Sequence, residues 1–189
     1  MAKHRDGEYI EFRGKLPLTA ILAVGSRFLE VGGYSFRAEQ PTRGEINLWR
    51  SDAKPSQRDF VIREREISLE GKDILVVFSI TGDASDDADV LSTNIPESLR
   101  AVIYAEPDNA PGDGAIESDS DATALAIRGK EIIRSSRLKY RSLRTHLVLY
   151  APATFCLFLG QRLNALGEIV TYERTADGGY QPSVILRTS

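Results

Sequence analysis

The most constraining feature of this sequence is an almost continuously apolar run at residues 74–80, ILVVFSI. A strand with one face in water alternates apolar and polar residues, and this run does not alternate. The pattern is typical of a strand that is covered on both faces, as in a parallel sheet flanked by helices. We therefore expect an α/β protein with a mostly parallel sheet.

Apolar periodicity and turn residues predict alternating helices and strands along the rest of the chain. Before the 106–121 segment, the prediction is a helix at 16–29, a hairpin at 34–49 turning at 41–44, strands at 60–67 and 74–80, a helix at 85–95 and a strand at 101–104. After it, the prediction is a helix at 122–139 capped by Ser118 or Asp119, a strand at 145–150, a helix at 152–164, and strands at 169–173 and 183–186.

The segment at 106–121 is rich in Asp, Pro, Gly and Ser, which is typical of a loop or linker. We predict that it separates a first half, residues 16–105, from a second half, residues 122–189, within a single domain of 189 residues. A chain of this length suits one such domain.

The composition excludes several classes of protein. A net charge of -3 argues against a protein that coats nucleic acid, so we expect no direct binding to duplex nucleic acid. The single cysteine, Cys156, excludes an internal disulfide and favours a reducing, cytoplasmic setting. The charged N-terminal segment lacks the apolar core of a signal peptide, and no apolar run reaches the roughly 18 residues of a membrane span.

A strand, a proline and an apolar helix follow one another directly at residues 145–164. Proline suits the first helical position, so we predict that Pro152 begins the helix. The free amides of Ala153, Thr154 and Phe155 would then face the carboxyl end of the preceding strand, where the helix dipole favours an anion. Open α/β sheets bind their ligands at such crevices, although a plain core helix is the simpler interpretation.

This region also carries a family resemblance. Residues 146–174 (HLVLYAPATFCLFLGQRLNALGEIVTYER), followed by 178–186 (GGYQPSVIL), resemble the C-terminal signature of SAVED domains. The shared features are a His-Leu strand start, an Ala-Pro step, a Leu-Gly pair in the helix, a Tyr-Glu strand end and a Tyr-x-Pro before the last strand. The earlier helix, the 49–51 step and the 73–80 strand agree more loosely.

The resemblance implies two fused Rossmann-like halves akin to CARF domains. It also implies a sensor of cyclic oligonucleotide messengers, cyclic di- or trinucleotides, in bacterial antiviral defence of the CBASS or type III CRISPR kind. Family members self-associate when the messenger binds and so activate a fused or separate effector, such as a nuclease, a TIR domain or a protease. The resemblance calls for no metal or other cofactor, and no effector is recognisable in this chain.

A cyclic nucleotide needs cations or amides for its phosphates, flat side chains for its bases, and polar partners for the base edges. Residues that follow the predicted strands supply these groups. The candidate ligand-binding residues are Trp49, Arg50, Ser51, Thr81, Gly82, Tyr150, Ala151, Pro152, Thr154, Tyr172 and Arg174. Three of them have a structural alternative: Trp49 and Tyr172 as core aromatics, and Arg174 as a solvated turn residue.

The sequence leaves the roles of two charged stretches undecided, and it allows two other functions. The basic stretch at 128–144 could line a ligand mouth or meet an acidic neighbour, although a solvated helix face is the more usual role. The acidic 83–89 stretch is a candidate complementary surface for head-to-tail assembly. A ring-nuclease-like enzyme and a scaffold subunit without ligand binding are the alternative functions, and no nucleophile with a base is recognisable around Cys156 or His146.

Overall fold

The computed structural model describes residues 9–42, 44–95 and 98–188. The order of the strands and helices is β1 (Tyr9–Phe12), α1 (Leu18–Arg27), β2 (Ser35–Thr42), β3 (Glu45–Arg50), β4 (Phe60–Glu66), β5 (Asp73–Ser79), α2 (Ser85–Asn94), β6 (Leu99–Pro107), α3 (Asp119–Tyr140), β7 (Arg144–Tyr150), α4 (Ala153–Gly160), β8 (Gly167–Arg174) and β9 (Tyr180–Thr188). Strands and helices alternate from β5 to β8, whereas β2 to β5 are four consecutive strands. A short 3₁₀ helix, Glu30–Gly32, follows α1.

The larger sheet has six strands in the order β4-β6-β5-β7-β8-β9. Its four inner strands are parallel, and the edge strands β4 and β9 run antiparallel to their neighbours. All seven residues of β5 are buried, as the apolar run predicts. The mostly parallel α/β architecture expected from the sequence is therefore confirmed.

Alternate residues of β5 face two separate cores. Ile74, Val76 and Phe78 pack in the core that includes α1, α3 and α4, whereas Leu75 and Val77 pack against α2. The smaller sheet, in the order β1-β2-β3, adds Phe36 and other side chains to the first core. Helices therefore cover both faces of the larger sheet.

The connections around β5 and β7 diverge. Helix α2 leads from β5 to β6 across one face, and α4 leads from β7 to β8 across the other. Because β5 and β7 are neighbours in the sheet, the gap between their carboxyl ends is the topological switch point where α/β proteins bind ligands.

Several boundaries differ from those expected. Helix α4 begins at Ala153 and ends at Gly160, and Pro152 is its N-cap with an extended ψ of 150° rather than its first helical residue. The early end has a local cause, since Arg162 and Leu163 donate to carbonyls three residues back and tighten the last turn. Ser118 caps α3 by accepting a hydrogen bond from the Asp121 amide at 3.2 Å.

The predicted linker is shorter than expected, because β6 continues to Pro107 and α3 begins at Asp119. One sheet also joins the two parts of the sequence, since β5 pairs with β7 along its whole length. The division into halves at this segment stays a prediction. Within the described ranges, no helix combines the length and the apolar character that crossing a bilayer requires.

Candidate ligand-binding cleft

An open cleft of about 530 Å³ lies at the switch point, in front of the start of α4. Its walls come from four places: the tip of the β2–β3 hairpin, Thr81 after β5, residues 112–117 before α3, and Pro152. Its size lies within the range of roughly 300–1,000 Å³ that small-molecule sites occupy. Pro152, the N-cap of α4, therefore borders open space, whereas Thr154 and Phe155 behind it are buried.

Backbone hydrogen bonds hold the strand ends together beneath this cleft. The amides of Ile80 and Thr81 both donate to the Tyr150 carbonyl, at 2.8 and 3.0 Å. The Gly112 amide donates to the Ile80 carbonyl at 2.9 Å, which ties the loop before α3 to the same point. The three walls contributed by the larger sheet and its loops therefore share one hydrogen-bonded floor.

The fourth wall, the tip of the β2–β3 hairpin, is tied to α4 by a side-chain contact. Thr154, which is 1% exposed, donates from its Oγ1 to Oε1 of Gln40 at 2.7 Å. The Gln40 amide nitrogen in turn donates to the Pro41 carbonyl at 3.1 Å. Near these groups, the buried Thr42 Oγ1 has no hydrogen-bond partner among the described residues.

The charges around the cleft divide it into two parts. Asp113 and Glu117 place carboxylates on the loop side, and no lysine or arginine is among the described residues that line it. On the opposite side lies the amino end of α4, where Cys156 makes the first-turn bond to Pro152 at 3.2 Å. The amides before Cys156 carry the positive end of the helix dipole.

The structure brings together only some of the candidate residues predicted from the sequence. Thr81 and Pro152 line the cleft, Thr154 lies directly behind it, and Ala151 is buried between them at 7% exposure. These four residues form one local group at the switch point.

A second group lies where β7 and β8 end, on the α2 side of the sheet. The Arg174 guanidinium lies 5.7 Å from the centre of the Tyr150 ring and 3.3 Å from Asp87. Gly82 packs beneath this ring, since an added Cβ would lie 2.5 Å from it. Tyr172 is 4% exposed, and its hydroxyl lies 2.8 Å from Nδ1 of His146, which favours its alternative as a core residue.

The third group, residues 49–51, lies at the end of β3 away from the hairpin tip. Trp49 is 6% exposed and packs in the first core, a placement that favours packing over stacking on a ligand base. Arg50 is exposed and paired with Asp52 at 3.0 Å. Ser51 is buried, and its hydroxyl accepts from the Phe36 amide at 2.9 Å. A ligand role for this group stays a prediction.

The sequence reasoning missed the hairpin tip and residues 112–117 as parts of the candidate site. Their composition does predict a turn at 41–44 and a loop within 106–121. It does not predict that the turn and the loop meet in front of α4, because that contact depends on how the small sheet packs against the large one.

The two charged runs are engaged in contacts within the chain. The acidic stretch pairs with Arg65 and Arg174, and the basic stretch pairs with carboxylates on β4, β8 and the loop before β4. The pairs are Asp89–Arg65, Asp87–Arg174, Arg128–Asp59, Lys139–Glu64 and Arg144–Glu168. The contacts support the solvated-surface interpretation, and the assembly role stays a prediction.

Cys156 and His146, the two residues considered for catalysis, lie on opposite faces of the larger sheet. Cys156 is fully buried in the first core, and burial raises the pKa of its thiol, so it is not a ready nucleophile. His146 lies on the other face of the sheet, beside Tyr172 and 3.5 Å from Asp73. The described ranges contain no group of three His, Cys, Asp or Glu residues arranged to hold a metal ion.

The fold defines an α/β domain with an open cleft at the switch point of its larger sheet. A family model, the SMODS-associated and fused to various effectors sensor domain (SAVED), matches residues 1–186. The chain therefore belongs to the SAVED family, and the resemblance noted in the sequence is confirmed.

Individual relatives agree with this assignment. CD-NTase-associated protein 4 from Enterobacter hormaechei is 28% identical over 155 residues, covering 80% of this chain and 31% of the relative. The Acinetobacter baumannii Cap4 SAVED/CARF-domain receptor, solved with the cyclic trinucleotide 2′3′3′-cAAA, has a TM-score of 0.78 at 22% identity, covering 95% of this chain and 38% of that one. The Moraxella osloensis Cap4 receptor has a TM-score of 0.64 at 18% identity, covering 94% and 36%. This chain thus spans well under half the length of these relatives.

Proposed function

We propose that this chain is the sensor part of a cytoplasmic bacterial antiviral receptor of the CBASS kind, and that it binds a cyclic trinucleotide in the cleft in front of α4. The observation that carries the proposal is the open space at the switch point, bordered by Thr81 and Pro152. The similar Acinetobacter receptor, solved with cyclic trinucleotides, supports the choice of ligand class.

The two parts of the cleft suit different parts of such a ligand. A phosphate fits the side of Thr81 and the α4 amides, because a helix start favours an anion. The carboxylates of Asp113 and Glu117 would repel a phosphate, but they accept hydrogen bonds from the amino groups of bases. The ligand is therefore oriented with its base edges toward the loop before α3.

Occupancy of the cleft promotes self-association, which activates a fused or separate effector, a nuclease, a TIR domain or a protease. Binding can drive assembly only if the ligand favours an assembly-ready conformer or bridges subunits. The length of the curated relative supports an attached or partner segment, since this chain covers 31% of it. Light scattering with and without ligand measures this step separately from binding.

The binding step is tested by blocking the cleft. Gly114 lines it, and a Cβ added there would meet no atom within 4 Å, so the Gly114→Trp variant should fold and fill the open space. Calorimetric titration with 2′3′3′-cAAA and 3′3′3′-cAAA should show binding to the unmodified chain and none to Gly114→Trp. Leu138→Trp is the matched control, because Leu138 is 71% exposed near the other end of α3.

Equal binding by the Gly114→Trp and Leu138→Trp variants would place the ligand outside the cleft. Failure of the unmodified chain to bind a panel of cyclic di-, tri- and tetranucleotides would overturn the sensor proposal itself. Linear product after incubation would instead favour the ring-nuclease alternative.

The same titration tests the two arginines predicted from the sequence. If Arg50 and Arg174 contact phosphates, each change to alanine weakens binding by about 1.5–3 kcal/mol. Both side chains are exposed and paired with a nearby aspartate, so the folded state should tolerate the change. Unchanged affinity in both variants would remove them from the ligand site.

A further inference from the structure

A second cavity, of about 230 Å³, lies at the opposite end of α4 from the cleft. The 3₁₀ helix, the middle of α3 and residues 161–164 after α4 form its walls. The SAVED assignment gives this cavity no role, and no residue of the proposed cyclic-nucleotide cleft lines it.

Arg162 forms the buried part of this wall and is only 4% exposed. Its Nη1 donates to the Phe158 carbonyl at 2.9 Å, and its Nη2 donates to Glu30 at 3.0 Å and to the Ser51 carbonyl at 2.9 Å. Its Nε is buried and has no acceptor among the described residues. A buried charged donor without an acceptor is costly, so this atom calls for an oxygen partner.

Gln161, which precedes Arg162, also has a buried polar atom without a hydrogen-bond partner among the described residues. Its amide nitrogen donates to the carbonyls of Phe28 and Tyr34, at 3.0 and 3.2 Å. Its Oε1 is buried and receives no hydrogen bond from the described part of the chain. Two adjacent residues that line the cavity therefore each have an unsatisfied polar atom. An oxyanion oxygen could accept from the Arg162 Nε, whereas the Gln161 Oε1 needs a donor such as a water molecule.

The wall carries an excess of positive charge. Lys130 and Arg134 lie one helical turn apart on α3 and line the cavity with Arg162. Of the two carboxylates in the lining, Glu30 pairs with Arg162 and Glu131 pairs with Arg128. Lys130 donates to the neutral Asn164 Oδ1 at 2.7 Å, and neither Lys130 nor Arg134 has a carboxylate within ion-pair distance in the described ranges.

The pKa of Lys130 reflects its burial and this excess of positive charge. Burial lowers the pKa of its ammonium group, and the nearby charges of Arg134 and Arg162 lower it further, against the raising effect of Glu30. An anion placed between these three cations would relieve their repulsion.

We propose that this cavity binds a small oxyanion, a phosphate or carboxylate group of a small molecule, held by Lys130, Arg134 and Arg162. The arginine supplies buried, charge-assisted donors, and the two α3 side chains close over the anion from the solvent side. The exposed side chain of Val31 at the rim leaves space for a small apolar part of the same ligand.

Titration of the full chain with inorganic phosphate and with acetate, at constant ionic strength set with chloride, tests this proposal. We expect saturable binding of at least one of them, and the tighter one identifies the preferred group. Lys130→Gln and Arg134→Gln should each weaken that binding about tenfold or more, because each removes a charge-assisted contact. Both side chains reach solvent, so these variants are expected to fold.

Lys139→Gln is the control, since it removes one positive charge from the same helix outside the cavity, where Lys139 pairs with Glu64. Unchanged phosphate or acetate binding by this control supports a built site. Absence of saturable binding, or the same loss in Lys139→Gln, overturns the proposal and leaves a water-filled cavity. The cyclic trinucleotide titration reads out the other cleft, so the two proposals fail independently.

Discussion

Gly25 of α1 and Gly160 of α4 face each other where the two helices cross, and neither has room for a side chain. A Cβ added to Gly160 would lie 2.3 Å from the Leu22 carbonyl oxygen and 3.0 Å from the Gly25 Cα. A Cβ on Gly25 would lie 2.3 Å from the Leu157 carbonyl oxygen. The reciprocal contact allows α4 to approach α1 closely, because neither glycine has a side chain.

The Gly160→Ala variant should therefore be destabilised, because the atoms in the way belong to backbone that cannot rotate aside. We expect a loss of about 1–3 kcal/mol in the free energy of unfolding, typical of an overpacked core. Urea denaturation followed by circular dichroism measures it. Gly114→Ala is the control and should be neutral or slightly stabilising, since its Cβ would meet open space. Equal stability of the two variants would contradict the close crossing.

The Thr154→Val variant tests the bond between α4 and the β2–β3 hairpin. Removing Oγ1 leaves Oε1 of Gln40 without its donor, and we expect a loss of about 1–2 kcal/mol in unfolding free energy. Because this bond holds the fourth wall of the cleft, the affinity for cyclic trinucleotide should also fall. Calorimetric titration measures the affinity, and a variant with unchanged stability and affinity would rule out a positioning role for Thr154.

Two tyrosines of the last strands offer a matched pair of variants. The Tyr172 hydroxyl lies 2.8 Å from Nδ1 of the buried His146, so Tyr172→Phe should cost about 1–3 kcal/mol of stability. The Tyr180 hydroxyl is buried without a partner among the described residues, so Tyr180→Phe should leave stability unchanged or raise it. Equal losses in thermal or urea unfolding would mean that the His146 contact contributes nothing.

Tyr180 also predicts a dependence of stability on alkaline pH. Burial, followed by the nearby Asp87, raises the pKa of its phenol to about 12. The folded state therefore favours the protonated form, and its contribution is fully present below pH 10, the ordinary value of tyrosine. This contribution is lost as the pH rises from 10 toward 12. Urea denaturation of the wild-type chain and of Tyr180→Phe across this range should show a steeper decline for the wild type.

Sequence patterns predict most elements of this fold for local reasons, although they do not predict β1 at Tyr9–Phe12. The uninterrupted apolar run at 74–80 can satisfy its backbone and side chains only inside a covered sheet, and β5 is indeed wholly buried. The ends of α4 are less predictable, because the 3₁₀-type bonds of Arg162 and Leu163 close the helix before the apolar pattern stops. The Ser118 cap is one of the two residues that the sequence offers.

The candidate site is predicted only in part, because some of its walls depend on long-range packing and not on local sequence patterns. Thr81 and Pro152 follow strands of one parallel sheet, so their position at its carboxyl edge follows from topology. Trp49 and Arg50 end β3 of the smaller sheet, and Ser51 follows them. The placement of this sheet depends on long-range packing that no local pattern encodes. The hairpin tip enters the cleft for the same reason, which explains why sequence reasoning missed it.

The cleft walls come from stretches of chain that are remote in sequence, from Gln40 to Pro152. A molecule bound there would have to leave before the hairpin could detach from α4. Occupancy should therefore suppress local opening of the small sheet, and hydrogen exchange of the β2 and β3 amides should slow in proportion to ligand affinity. Under the proposed function, a ligand at one edge of the larger sheet would therefore also make the smaller sheet more rigid.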